Sequence, residues 1–168
     1  MNKNIACLMC ILLILAVLAF IWGNSMQSVA ESKALSLSVL DKVKPVLELF
    51  VGTGNVTDRL VRKLAHFIGF GALGCGLALL LIFRGRVRPR NVANCAFAGL
   101  VAALIDETIQ IFSNRGPQVQ DIWIDFGGVC AGLFLTLTGY LVIKVVWNKR
   151  NKSRRLRPYF YSWPTFRL

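Results

Sequence analysis

Four long apolar runs, separated by polar or basic stretches, organise the chain of 168 residues. Residues 5–23 are almost continuously apolar, and at ~1.5 Å per residue such a helix approaches the ~30 Å hydrocarbon thickness of a bilayer. The pattern predicts a first transmembrane helix there. A secretory signal is the competing reading, because Ser28-Val29-Ala30 resembles a cleavage site. The run exceeds the ~7–15-residue apolar core of a signal, which favours an uncleaved span. Three further spans are predicted at 64–83, 91–112 and 121–147, the last long enough to cross at a tilt.

The stretches between the spans carry their own patterns. Leu35, Val39, Val43, Val46, Leu47 and Phe50 recur at threes and fours, the spacing of an amphipathic helix on a membrane surface. Pro45 is expected to bend or split it, and Gly52-Thr53-Gly54-Asn55 marks a turn. Gly69, Gly71, Gly74 and Gly76 make the second span rich in small residues, which let helices approach closely in lipid. A basic link over 84–90 makes a tight hairpin of spans two and three, and Gly116-Pro117 turns the chain before span four.

Composition agrees with a membrane protein: 55% of residues are hydrophobic and the mean hydropathy is +0.58. The formal charge of +12 would suggest nucleic acid in a soluble chain. Here the bases flank apolar runs, so their placement reports topology and no nucleic-acid partner is expected. With the N-terminus inside, Lys3, Arg84, Arg86, Arg88, Arg90, Lys144 and the basic tail fall on the cytoplasmic side without an acid among them. This bias predicts four spans with both termini cytoplasmic and the amphipathic connector on the outer face. Cys7, Cys10, Cys75, Cys95 and Cys130 lie in or beside apolar runs and form no disulfide framework. The basic and aromatic tail over 151–168 suits an anionic membrane surface.

Against this apolar background, nine polar residues stand out: Arg62, Lys63, His66, Asp106, Glu107, Gln110, Arg115, Asp121 and Asp125. Helical spacing puts Arg59, Arg62, Lys63 and His66 on one stripe, and Asp106, Glu107 and Gln110 on another. On span four, Gln118, Asp121, Asp125, Gly128, Gly132 and Gly139 share a side, and a face with charges and glycines should meet helices, not lipid. The predicted topology brings all nine to the outer leaflet. An unpaired charge near mid-membrane costs ~2.5–3.5 kcal/mol on insertion scales, so the four carboxylates imply partners among Arg62, Lys63, His66 and Arg115.

The chemistry open to such a group is limited. One histidine, without His-Glu-x-x-His or Cys-rich spacing, gives no zinc motif, and no metal site or cofactor is expected. A divalent cation held by carboxylate oxygens stays open. Acid–base catalysis by His66 with Glu107 or Asp106 would need them within hydrogen-bond reach. Binding a polar headgroup or peptide needs only convergent donors and acceptors.

At these residues the chain resembles the VanZ-like family of bacterial membrane proteins. The matching stretches are Arg62-Lys63-Leu64-Ala65-His66-Phe67, Asp106-Glu107-Thr108-Ile109-Gln110-Ile111-Phe112, and Arg115 followed by Asp121, Asp125 and Gly128. Their order across three spans carries the resemblance, together with the connector from Asn24-Ser25 to Ser36. It implies a small multi-span protein whose namesake is associated with low-level resistance to the glycopeptide teicoplanin, without remodelled peptidoglycan precursors. Position 125 departs from the pattern, being Asp where Asn is expected; the extra carboxylate favours a cation or a basic partner.

The expected fold is thus all-α, an integral membrane bundle of four transmembrane helices over residues 1–150 with a cytoplasmic tail over 151–168. The expected function is binding of an envelope lipid, a peptidoglycan-related molecule or a glycopeptide at an outward-facing polar site in the cell membrane. Two alternatives come from other classes: an enzyme acting on lipid-linked or cell-wall intermediates, and a structural or partner-binding protein whose polar residues only clasp the helices. Transport finds little room in four spans unless a homodimer supplies more.

Overall fold

A computed structural model of the chain describes residues 2–52, 56–113 and 118–156. They form five helices: α1 (Lys3–Ser25), α2 (Val29–Val51), α3 (Asp58–Arg84), α4 (Pro89–Phe112) and α5 (Val119–Leu156). No strand occurs among the described residues. Four helices are long and apolar enough to cross a membrane: α1, α3, α4 and the Val119–Lys152 portion of α5. Each contains its predicted span and extends beyond it.

Local signals explain the helix ends. Asn2 caps α1 by accepting from the Asn4 backbone N–H, and Thr57 caps α3 by accepting from that of Leu60. At the far end of α3, Gly85 takes the left-handed conformation (φ 65°) that closes a helix with least steric cost. Pro89 then occupies the start of α4, where its missing N–H breaks no helical bond.

Helix α3 is the hub. Along it, Gly69 meets Ile21 and Gly76 meets Ile14, so α1 and α3 run antiparallel. Gly71 and Gly74 meet Gly128 and Val129, so α3 and α5 run parallel. A Cβ added at Gly74, Gly128 or Gly132 would come within 3.0 Å of backbone atoms of the facing helix. Gly71, Gly74, Gly128 and Gly132 therefore serve one α3–α5 contact, made main chain to main chain. Gly139, expected on the same face, has nothing within 4 Å; the contact ends below it. Helix α4 covers the other side, with Gly99 against Val129 and the Ala102 carbonyl accepting from the Trp22 indole at 3.4 Å.

The apolar core comprises Ile21, Phe70, Leu73, Ala78, Ala102, Ala103, Val129 and Leu133. Large apolar residues such as Leu8, Leu12, Leu15, Phe97, Phe134 and Leu135 point outward, as they should on helices whose outer solvent is lipid. Lys3, Arg84 and Arg86, three of the bases that set the expected topology, line one depression at the end opposite the polar residues.

Helix α2 corrects one expectation: Pro45 does not split it, and the helix is continuous from Val29 to Val51. A proline removes one helical hydrogen bond and crowds one carbonyl; here that carbonyl belongs to Asp41, on an exposed face. The helix start is held by a reciprocal capping box between Ser28 and Glu31. It is Ser32 and Ser36 that are buried, whereas Leu35, Val39, Val46 and Leu49 stay exposed. The apolar stripe of α2 is thus left open, with Leu35 and Val39 lining a groove against α1 and α3.

Candidate functional site

Helices α3, α4 and α5 bring eight of the nine expected residues together at one end of the bundle; Arg115 lies outside the described residues. Arg62, Lys63 and His66 come from the first turns of α3, Asp106, Glu107 and Gln110 from the last turns of α4, and Asp121 and Asp125 from the start of α5. Asp106 and Asp125 each lie six residues inside their helix end, roughly 9 Å at the helical rise.

The innermost layer is formed by His66, Asp106 and Asp125. His66 Nδ1 lies 3.6 Å from Asp106 Oδ2 and 3.8 Å from Asp125 Oδ1. Asp106 is 0% exposed and Asp125 1%, while His66 is half-buried. Gln110 Nε2 donates to Asp106 Oδ2 at 2.8 Å, one helical turn apart on α4. The other oxygen of Asp106, and Asp125 Oδ1, are buried without a hydrogen bond among the described residues.

Above this layer, Lys63 Nζ lies 2.8 Å from Asp121 Oδ1, joining α3 to α5. The pair is about a quarter to a third exposed, and Asp121 Oδ1 lacks hydrogen-bond alignment, so the contact is ionic. Glu107 accepts a short hydrogen bond from the Gln118 backbone N–H, tying α4 to the approach of α5. Arg62 makes a 3.7 Å contact with Asp58 on its own helix, and its Nε is buried without a hydrogen bond among the described residues.

These groups enclose a cavity of about 230 Å³, lined by Arg59, Arg62, Lys63, His66, Gln110, Gln118, Asp121 and Asp125, with Val29 and Ile124. A second, mainly apolar cavity of about 240 Å³ lies between α1, α2 and α3, lined by residues including Phe20, Ile21, Leu35, Val39, Val61, Ala65 and Gly69. Arg62 and His66 line both, so a polar chamber and an apolar groove share a wall.

Several polar residues in or beside the two cavities were not among the nine expected. Arg59 was on the right stripe, yet only the geometry puts it in the wall. Gln118 is drawn in by its backbone bond to Glu107, which no spacing signals. Ser25, fully buried with its hydroxyl unbonded among the described residues, and Asn24, Gln27, Ser32 and Ser36 along the groove belong to a connector that pattern alone marks as amphipathic.

No curated protein and no solved structure matches the chain. The family described as VanZ/LLP1 matches residues 9–144, a range that reaches into all four spans and holds every one of the nine polar residues. With three polar stretches converging in one chamber at one end of a helical bundle, and most of the length matched, the chain belongs to the VanZ/LLP1 family.

Proposed function

We propose that this protein binds an amphiphilic cell-envelope molecule with an anionic headgroup, from the outer leaflet of the cell membrane. One observation carries the reading: the polar chamber and the apolar groove meet at Arg62 and His66. A molecule with a charged head and a hydrocarbon tail fills both at once, and neither a soluble ion nor a plain hydrocarbon does. The chamber wall holds Arg59, Arg62 and Lys63 against Asp121 and Asp125, and one of those acids is already engaged by Lys63. Arg59, and Arg62 with only a long 3.7 Å contact to Asp58, supply guanidinium groups, which bind phosphate in a bidentate fashion.

The topology belongs to the same proposal. Both termini and the 84–90 link are cytoplasmic by their bases, which puts the chamber on the outer side, with α2 on the same face and its Leu35 and Val39 walling the groove. A lipid-linked cell-wall intermediate is the preferred ligand class. A glycopeptide antibiotic, suggested by the teicoplanin association of the family's namesake, is the competing ligand.

The test uses purified full-length protein in nanodiscs, with binding of a polyprenyl phosphate-type lipid measured against neutral lipid of equal chain length and against teicoplanin. Selective binding of the anionic lipid, lost in Arg59→Ala and Arg62→Ala, supports the reading. Equal binding of the neutral lipid overturns it, and binding of teicoplanin alone reassigns the ligand. A membrane enzyme acting on the same lipid class is the second reading, favoured by His66 standing between two buried carboxylates; turnover lost in His66→Ala would establish it.

A further inference from the structure

The innermost layer of the chamber has a property that headgroup binding does not explain. His66 Nδ1 and oxygens of Asp106 and Asp125 all lie within 4.8 Å of one another, yet at 3.6 and 3.8 Å the histidine contacts are longer than hydrogen bonds. Asp125 Oδ1, the atom nearest His66 on that side, is buried and accepts no hydrogen bond among the described residues. Two carboxylates buried to 0% and 1% exposure thus turn toward one imidazole nitrogen and toward each other, without a donor at contact distance from Asp125 Oδ1. Carboxylates so placed are relieved by a shared proton or by a positive centre between them.

The geometry points to a divalent transition-metal site, of the zinc or manganese kind, formed by His66, Asp106 and Asp125. Ligand atoms held at ~2.0–2.2 Å from one ion sit roughly 3–3.6 Å apart, so small side-chain rotations close the observed separations onto a shared centre. Two carboxylates and a neutral imidazole balance a divalent charge, leaving a neutral site in the most buried part of the cluster. An imidazole among the ligands selects against magnesium and calcium, which take all-oxygen shells. Gln110, donating to Asp106 Oδ2 at 2.8 Å, is the outer-shell group that orients a ligating carboxylate. His66 and Asp125 both line the chamber, so the coordination positions left by three protein ligands open onto it.

Pattern reading found no metal motif because the three ligands come one each from α3, α4 and α5. The site does not depend on which envelope molecule the chamber takes, since ion retention is read with no such molecule present.

The experiment strips full-length protein in detergent with a chelator, reloads it with zinc, manganese, magnesium or calcium, and measures retained metal by mass spectrometry after desalting, alongside the thermal midpoint. The expected result is a single zinc or manganese ion per chain, with a raised midpoint. The double variant Asp106→Asn/Asp125→Asn, isosteric at both positions, and His66→Ala should lose it. Gln110→Ala is expected to weaken retention about 10–100-fold, and Asp58→Asn, a carboxylate outside the cluster, to leave it unchanged. Retention in the folded double variant would put the ion elsewhere and overturn the assignment. So would a wild-type protein that retains no more metal than that variant, or one that takes magnesium or calcium in preference to zinc and manganese.

Discussion

Gly132 of α5 faces the main chain of Gly71 in α3 so closely that a Cβ added there would meet the Gly71 carbonyl oxygen and the Cys75 backbone nitrogen within 3.0 Å. Cys75 in turn directs its thiol at the Gly132 carbonyl, at 3.6 Å. In lipid, apolar burial gives helices no reason to associate, so close packing of this kind sets their distance and register. The register matters to the chamber, because α3 carries His66 and Lys63 and α5 carries their partners Asp125 and Asp121.

Even the smallest side chain should therefore separate these helices. Gly132→Ala is expected to cost about 1–3 kcal/mol, the usual range for overpacking, and to lower the thermal midpoint of detergent-purified protein. Gly139→Ala, with nothing within 4 Å of its added Cβ, should leave the midpoint unchanged. Equal midpoints for both variants would show that the α3–α5 contact is not made through Gly132.

The Lys63–Asp121 contact gives a second, electrostatic test of the same register. Lys63→Glu sets two carboxylates at a distance of a few ångströms, and Asp121→Lys two ammonium groups. Each reversal should lower the thermal midpoint, while the swapped pair should restore most of the loss. Because the pair is a quarter to a third exposed, its worth is held to ~1 kcal/mol or less. An additive double variant would mean that the two side chains do not interact.

How much of this was legible beforehand depends on whether the signal was local. Span positions followed from runs of apolar residues, and the helix faces of Lys63, His66, Asp121 and Asp125 followed from spacing, because both are properties of a single helix. What spacing could not supply is pairing between helices. Spacing left both Glu107 and Asp106 as candidates to pair with His66, whereas His66 stands between Asp106 and Asp125 and Glu107 is engaged by the Gln118 backbone. Adjacent residues of a helix point about 100° apart, so Asp106 and Glu107 reach different neighbours although they sit side by side in sequence. Pro45 misled for the opposite reason. It is a strong local signal, and the missing bond it imposes was tolerated by a helix capped at its start.

Orientation across the membrane can be read by cysteine labelling from outside intact cells, in a background lacking the five native cysteines. The proposed topology expects Asn114→Cys to be labelled and Arg88→Cys to be protected. The reverse pattern would move the chamber to the cytoplasmic side and exclude an outer-leaflet ligand.

The start of α2 should respond to acid. Hydrogen bonds from the Ser28 hydroxyl and backbone N–H hold the Glu31 carboxyl below its ordinary pKa. A group whose pKa is lower in the folded state contributes stability above the ordinary carboxylate range and loses it as pH falls through the folded value. Amide exchange in the first turn of α2, corrected for its intrinsic rate, should therefore rise relative to the rest of the helix as pH drops below about 4. Glu31→Gln should flatten that dependence, and an unchanged profile in this variant would assign the fraying to another group.

The two-compartment character of the site makes a last prediction, because headgroup and tail can be weakened separately. Ala65 lines the apolar groove but not the polar chamber. Ala65→Phe places an aromatic ring where a hydrocarbon tail would lie, at an exposed position where the larger side chain displaces no core residue. Affinity for a long-chain anionic lipid should fall about tenfold, ~1.4 kcal/mol, while a water-soluble analogue of the same headgroup binds as to wild type. Arg59→Ala, in the chamber wall but not in the groove wall, should weaken both ligands to the same degree. If Ala65→Phe also weakened the soluble analogue, the groove and chamber would be one compartment, and the tail would not be recognised as a separate part of the ligand.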